Sequence, residues 1–125
     1  MTTKLNETIT SSEYDELINS PVPEADVCSV TIKGLTETTE LKRGTVLAVK
    51  DGKAEVLGSN TEGAVASHIL ADNVTVGTAD THADAYRAGH FNRNKLIVAE
   101  GYTLTKADEE ELRKVGILLD DAIKA

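Results

Sequence analysis

Short apolar runs alternate with turn residues through the middle of the chain, which predicts a series of short β-strands. The predicted strands cover residues 45–49, 54–57, 64–70, 74–76 and 85–90. Asp51 and Gly52 separate the first two runs, and this dipeptide is a strong signal for a tight β-hairpin. The polar stretch 78–83 is predicted as a loop, and Gly89 is predicted to end the last of these strands. Many short strands joined by turns favour a small barrel or sandwich.

Near the C-terminus the spacing of apolar residues changes and predicts one short helix over 106–115. Thr105 is a suitable N-cap, and Asp108 stands at the position of its capping-box partner. Leu112 and Val115 are predicted to face inward. A helix of this length needs packing against a core to be stable.

The end of this helix carries its own signals. Gly116 is placed to end it in a left-handed conformation, after which residues 117–119 return to the core. On the exposed side, Glu109 with Arg113 and Glu110 with Lys114 are predicted ion pairs four residues apart. The predicted fold class is therefore mainly β with a minor α contribution, a small barrel-like domain with one C-terminal helix.

Residues 1–40 differ from the rest of the chain. They are rich in Ser, Thr and Glu, contain both prolines, and hold no glycine before Gly34. Such a composition buries little apolar area, so these residues are predicted to form a partly flexible N-terminal arm. Residues 41–125 are predicted to form the compact β-rich domain. Deleting residues 1–30 is accordingly expected to leave the domain folded.

One part of the predicted arm has the pattern of a strand. Residues 27–32 alternate, with Cys28, Val30 and Ile32 on one side, as in a half-buried strand. Such a segment could be an idle edge strand, or it could become ordered by pairing with the sheet edge of a partner.

Composition and charge narrow the classes of function. The chain has 13 basic and 21 acidic residues and a net charge of −8, which argues against direct nucleic-acid binding because that binding rests on neutralising phosphates. No apolar run approaches the roughly 20 residues that span a bilayer, and the N-terminus lacks the apolar core of a signal peptide. Cys28 is the only cysteine, so no disulfide can form within the chain. We expect folding in a reducing cytoplasm.

Three alternating polar residues are the best candidates for a metal site. Asp80, His82 and Asp84 would share one face of an extended strand, and their O and N atoms could bind a metal ion, as in a small hydrolase. They are an incomplete ligand set, and a solvated loop is the simpler interpretation. No nucleophile or cofactor motif is present, and neither His68 nor His90 has a nucleophile placed beside it. We expect no enzymatic activity, cofactor or metal.

A basic cluster is the best candidate for an interface. Arg87, Arg93 and Lys95 lie near Tyr86 and Phe91, and arginine and aromatic residues are enriched at protein interfaces. Ordinary solvated charge is the alternative interpretation.

Four sequence blocks occur in the order found in one known family. They are LKRGTVLAVKDGKAEV (41–56), AVASHILADNVTV (64–76), AYRAGHFNRNKL (85–96) and LRKVGILL (112–119). In these blocks the chain resembles the head decoration proteins of tailed phages, the lambda-like capsid decoration family.

The resemblance implies a compact, β-tulip-like domain with a short helix and no enzymatic activity or cofactor. It implies homotrimers that bind the major capsid protein at three-fold and quasi-three-fold sites on the outer surface of the expanded head. There they would stabilise the shell against packaged DNA, after synthesis in the host cytoplasm. An N-terminal arm that pairs with the shell would put Cys28, Val30 and Ile32 at the contact. The arm is longer here than a simple member needs, and a tail- or vertex-associated β-barrel module remains an alternative.

Overall fold

The computed structural model describes residues 17–20, 25–59 and 63–120. Much of the predicted arm, residues 1–16 and 21–24, lies outside this part of the chain. The described elements are β1 (Ile18–Ser20), β2 (Asp26–Ile32), β3 (Thr39–Leu41), β4 (Val46–Lys50), β5 (Lys53–Val56), β6 (Val65–Leu70), β7 (Val74–Val76), β8 (Thr81–Asn92), α1 (Lys106–Lys114) and β9 (Ile117–Asp120). The mainly β fold class with one short helix is confirmed.

Five strands close into a barrel in the order β8-β2-β5-β4-β6, and β6 pairs with β8 to complete the ring. β2 runs antiparallel to β8 along its whole length. The β4–β5 hairpin turns at Asp51-Gly52, as predicted, and both residues have positive φ. The contact between β2 and β5 is different, because these strands are parallel and share a single pair, Ile32 with Ala54.

β8 is the longest strand and extends beyond the barrel. Its end pairs with β1 on one edge and with β9 on the other. The prediction that Gly89 ends the strand is therefore wrong, and so is the prediction of a loop through residues 81–83. Gly89 has φ +145°, and a Cβ there would lie 2.8 Å from the Phe91 ring, so this glycine lets the strand continue past a large side chain.

Two apolar cores lie on opposite sides of the barrel wall. β3 and β7 pair with each other in a separate two-stranded antiparallel sheet. The inner core has one residue from each of the five barrel strands and two from this small sheet: Ile32, Leu41, Leu47, Ala54, Leu70, Val76 and Ala85. The outer core lies beneath α1, β1 and β9: Leu17, Val46, Ala48, Leu57, Ala66, Ile69, Tyr86, Phe91, Leu112 and Ile117. Successive residues of a strand point to opposite faces, so β4 is buried on both sides.

The helix begins as predicted. The Thr105 hydroxyl accepts a hydrogen bond from the Asp108 N–H (3.1 Å), and the Asp108 carboxylate accepts one from the Thr105 N–H (3.0 Å). The Tyr102 hydroxyl also donates to Asp108, which raises the pKa of Tyr102. This end of α1 is therefore joined to the preceding loop as well as capped.

The other end of the helix partly corrects the prediction. Leu112 is buried, and Gly116 has the expected positive φ. Val115 is 47% exposed, because the helix ends at Lys114 and Val115 is its C-cap. The predicted exposed pairs are also wrong. Arg113 pairs with Glu110 and Lys114 with Glu111, three residues apart, while Glu109 turns to Arg93.

Candidate functional site

The strand predicted within the arm is present as β2, but its side chains face the barrel of their own chain. Ile32 is 1% exposed and belongs to the inner core. Val30 packs against the same core, and Cys28 is half-buried. The predicted contact through the Ile32 side chain is therefore corrected, because that side chain has no surface to offer. Any partner would have to reach β2 through other groups.

The edge of β2 that faces away from β8 is open over most of its length. The Lys33 N–H donates to the Ala54 carbonyl of β5 (2.9 Å), so Lys33 faces β5. Alternate residues present their main-chain groups to the same edge, which places those of Val27 and Ser29 on this side too. Within the described residues β2 has no strand partner there beyond Ile32, and Val27 and Ser29 are exposed. We call Val27 and Ser29 with their outward N–H and C=O groups the β2 edge.

The aromatic residues of the predicted interface are core residues. Phe91 is fully buried and Tyr86 is 7% exposed, with their ring centroids 5.1 Å apart in the outer core. Arg43 donates to the Tyr86 hydroxyl (2.6 Å), so the polar tip of that ring is also satisfied inside the chain. The prediction that Tyr86 and Phe91 anchor a partner is corrected, because both are covered by their own fold.

The basic residues near them have separate surroundings. The exposed Arg87 donates to the Asp26 carboxylate across the β2–β8 pair (2.6 Å), and this hydrogen bond raises the pKa of Arg87. Arg93 makes two hydrogen bonds to Glu109 of α1, at 2.9 and 3.1 Å, and Lys95 is exposed in the short 3-10 turn that follows β8. Arg87 therefore lies beside the start of β2, whereas Arg93 holds α1 to the end of β8.

The predicted metal triplet is not assembled. Asp80 binds the Lys53 ammonium through one oxygen (2.7 Å) and accepts from the Gly34 N–H through the other (2.9 Å). The hydrogen bond from Lys53, followed by that from Gly34, lowers the pKa of Asp80. His82 contacts Thr31 instead (3.2 Å). Among the residues that the structure describes, no group of three or more His, Cys, Asp or Glu side chains could hold a metal ion.

A serine and a histidine meet in β6, which corrects the prediction that His68 has no nucleophile beside it. In β6 an extra residue interrupts the register opposite β4, since Leu47 faces His68 and Ala48 faces Ala66. Ser67 Oγ lies 2.7 Å from His68 Nδ1, and burial, followed by the charge of Arg87, lowers the pKa of His68. Within the described residues no carboxylate is hydrogen-bonded to His68, so the pair lacks the group that orients a catalytic base. No sequence motif marks this bulge.

In the described part of the chain, no helix is both long and apolar enough to span a membrane. The model of the family described as bacteriophage lambda head decoration protein D matches residues 8–117. This match covers the barrel, α1 and the first residue of β9. No curated protein sequence matches the chain. Because the family match extends over most of its length, the chain belongs to the bacteriophage lambda head decoration protein family, whose place is the phage capsid.

Proposed function

We propose that this member of the lambda head decoration family binds the outer surface of the expanded phage head as a homotrimer, at three-fold and quasi-three-fold sites, and stabilises the shell against packaged DNA. The family match over residues 8–117 carries the proposal. A protein that binds only the expanded shell stabilises that state by mass action and needs no chemistry of its own. A closed barrel with outer elements packed against it is suited to this role.

The partner is the major capsid protein, and the contact includes the N-terminal part of the chain. Cys28 and Val30 face the barrel, so β2 would contribute its β2 edge rather than these side chains. An extended capsid segment could add to such an edge through main-chain hydrogen bonds. Three copies acting together would multiply individually weak contacts.

The proposal is tested on purified shells. We expect the protein to sediment with expanded shells and not with unexpanded ones, and we expect packaged particles that lack it to lose DNA at lower temperature or on chelation. Expanded shells of the cognate phage that bind none of it, together with particles equally resistant without it, would contradict the proposal.

Copy number separates decoration from the alternative of a tail- or vertex-associated module. Decoration at three-fold and quasi-three-fold sites requires hundreds of copies per particle, whereas a tail or vertex site requires a handful. Quantitative gel densitometry of intact particles against the major capsid protein decides between them, and cryo-electron microscopy gives the position.

A further inference from the structure

The barrel is closed at one position by a single rung. β2 and β5 share only the Ile32–Ala54 pair, where the Lys33 N–H donates to the Ala54 carbonyl. Every other neighbouring pair in the ring shares at least two registered pairs. We call this rung the β2–β5 seam. It is the weakest link of the ring, because parallel pairing is slightly less stable per residue and only one pair is present.

One carboxylate holds both sides of this seam. Lys53 directly precedes Ala54 on β5, and Gly34 directly follows Lys33 after β2. Asp80, the residue before β8, binds Lys53 Nζ with one oxygen and the Gly34 N–H with the other. The two residues flanking the rung are thus held by the same side chain. Lys33, whose charge also acts on Asp80, is the further cation at this position.

The loop after β2 lies close enough to residues 78–79 for this bridge to form. Gly34 packs against the main chain of Thr78 and Ala79 at a distance that leaves no room for a Cβ, and the Leu35 N–H donates to the Gly77 carbonyl (2.8 Å). These contacts fix the loop to the segment before β8. They do not reach β5, which the Asp80–Lys53 bridge ties to this point.

We propose that the β2–β5 seam is where the barrel opens and that Asp80 is the latch that keeps it closed. Opening would break the rung between Lys33 and Ala54 while β2 stays paired with β8, and it would extend the β2 edge by the groups that the rung now occupies. The proposal concerns the isolated protein and does not depend on shell binding.

Amide hydrogen exchange measured by NMR tests the latch directly. The Lys33 N–H reports on the seam, and the Val30 N–H, which faces β8 by alternation, reports on the ladder that stays closed. In Asp80→Ala we expect the protection factor of Lys33 to fall by about tenfold or more while that of Val30 is unchanged. Asp80→Asn keeps an acceptor for the Gly34 N–H but loses the charge that holds Lys53. Its Lys33 protection factor should therefore lie between those of wild type and Asp80→Ala, and Lys53→Met should give a similar value.

Asp84→Ala is the matched control, since it removes an exposed carboxylate further along β8 and should leave Lys33 protection at the wild-type value. Unchanged Lys33 protection in Asp80→Ala would overturn the latch. An equal loss at Lys33 and Val30 would also overturn it, because that pattern is global loosening rather than opening at the seam. Should Asp80→Ala fail to fold, Asp80→Asn and Lys53→Met carry the same comparison.

Discussion

The two sides of the barrel are held together in different ways. The wall formed by β4, β6 and β8 is buried on both faces, with Leu47 in the inner core and Val46 in the outer core. The side formed by β2 and β5 is buried only toward the barrel interior, and its strands meet at one rung. The first side is stabilised by apolar burial on both faces. The second is buried on one face, and between β2 and β5 it has one main-chain rung and the charges beside it. This difference leaves the β2 edge without a strand partner beyond Ile32 among the described residues.

The largest expected effect comes from removing part of the second side altogether. Deleting residues 1–30 removes Leu17, which is 2% exposed in the outer core, and most of β2. We therefore expect this truncation to abolish folding, contrary to the expectation from composition. Deleting residues 1–16 keeps Leu17 and β2 and should leave the domain folded. Circular dichroism and thermal melts of both truncations check this, and a cooperative melt for the first would contradict it.

Within the wall, a single core substitution should be severe. Phe91→Ala removes a fully buried ring that packs on Tyr86 between β8 and the outer elements. We expect a loss of about 3–5 kcal/mol in the free energy of unfolding, measured with urea. Val115→Ala, at an apolar position that is largely exposed, should change it by less than about 0.5 kcal/mol. Similar losses in the free energy of unfolding for both variants would show that packing in the outer core does not stabilise the wall.

The cap of the helix that covers the outer core should matter less. Thr105→Ala removes the hydroxyl that accepts from the Asp108 N–H. A loss of about 1 kcal/mol in the free energy of unfolding is expected. Thr103→Ala, an exposed position before the helix, is the control and should be near neutral. A neutral Thr105→Ala would mean that the Thr105 cap does not contribute to the stability of α1.

At the seam the expected effect depends on pH. Lys53 and Gly34 lower the pKa of Asp80 in the folded state, so the ionised carboxylate stabilises the fold. This contribution is fully present above the pKa that Asp80 has in the unfolded chain. It is lost as the pH falls through the lower pKa that Asp80 has in the folded protein. The difference in urea midpoint between wild type and Asp80→Ala should therefore be present at neutral pH and shrink toward zero in acid. A difference independent of pH would mean that Asp80 does not act through its charge.

Local sequence signals predicted most elements because their causes are local. The hairpin at Asp51-Gly52 and the Thr105 cap depend on residues adjacent in the chain, and both occur where predicted. The start of β8 was missed because Thr81–Ala83 looks like a polar loop, yet it is a strand through pairing with Ile32, Thr31 and Val30. Such pairing is set by residues about fifty positions away, which no local pattern reveals.

The candidate site was less predictable than the fold. The sequence predicts Tyr86 and Phe91 at a surface beside Arg87, but β8 turns both rings into the outer core. Spacing groups Asp80 with His82 and Asp84, whereas its partners in the structure, Lys53 and Gly34, come from distant segments. Side chains of alternating residues can be predicted to share a face, but what that face meets depends on the other strands.

By itself the sequence determined the family, the β-rich class, the hairpin and the capped helix, because these follow from ordered motifs and from interactions between near neighbours. Only the tertiary structure decided that β2 belongs to the barrel, that the ring closes through one rung, and that Asp80 spans that rung. Those features arise where segments far apart in the chain meet, and there burial and hydrogen bonding across the gap outweigh local preference.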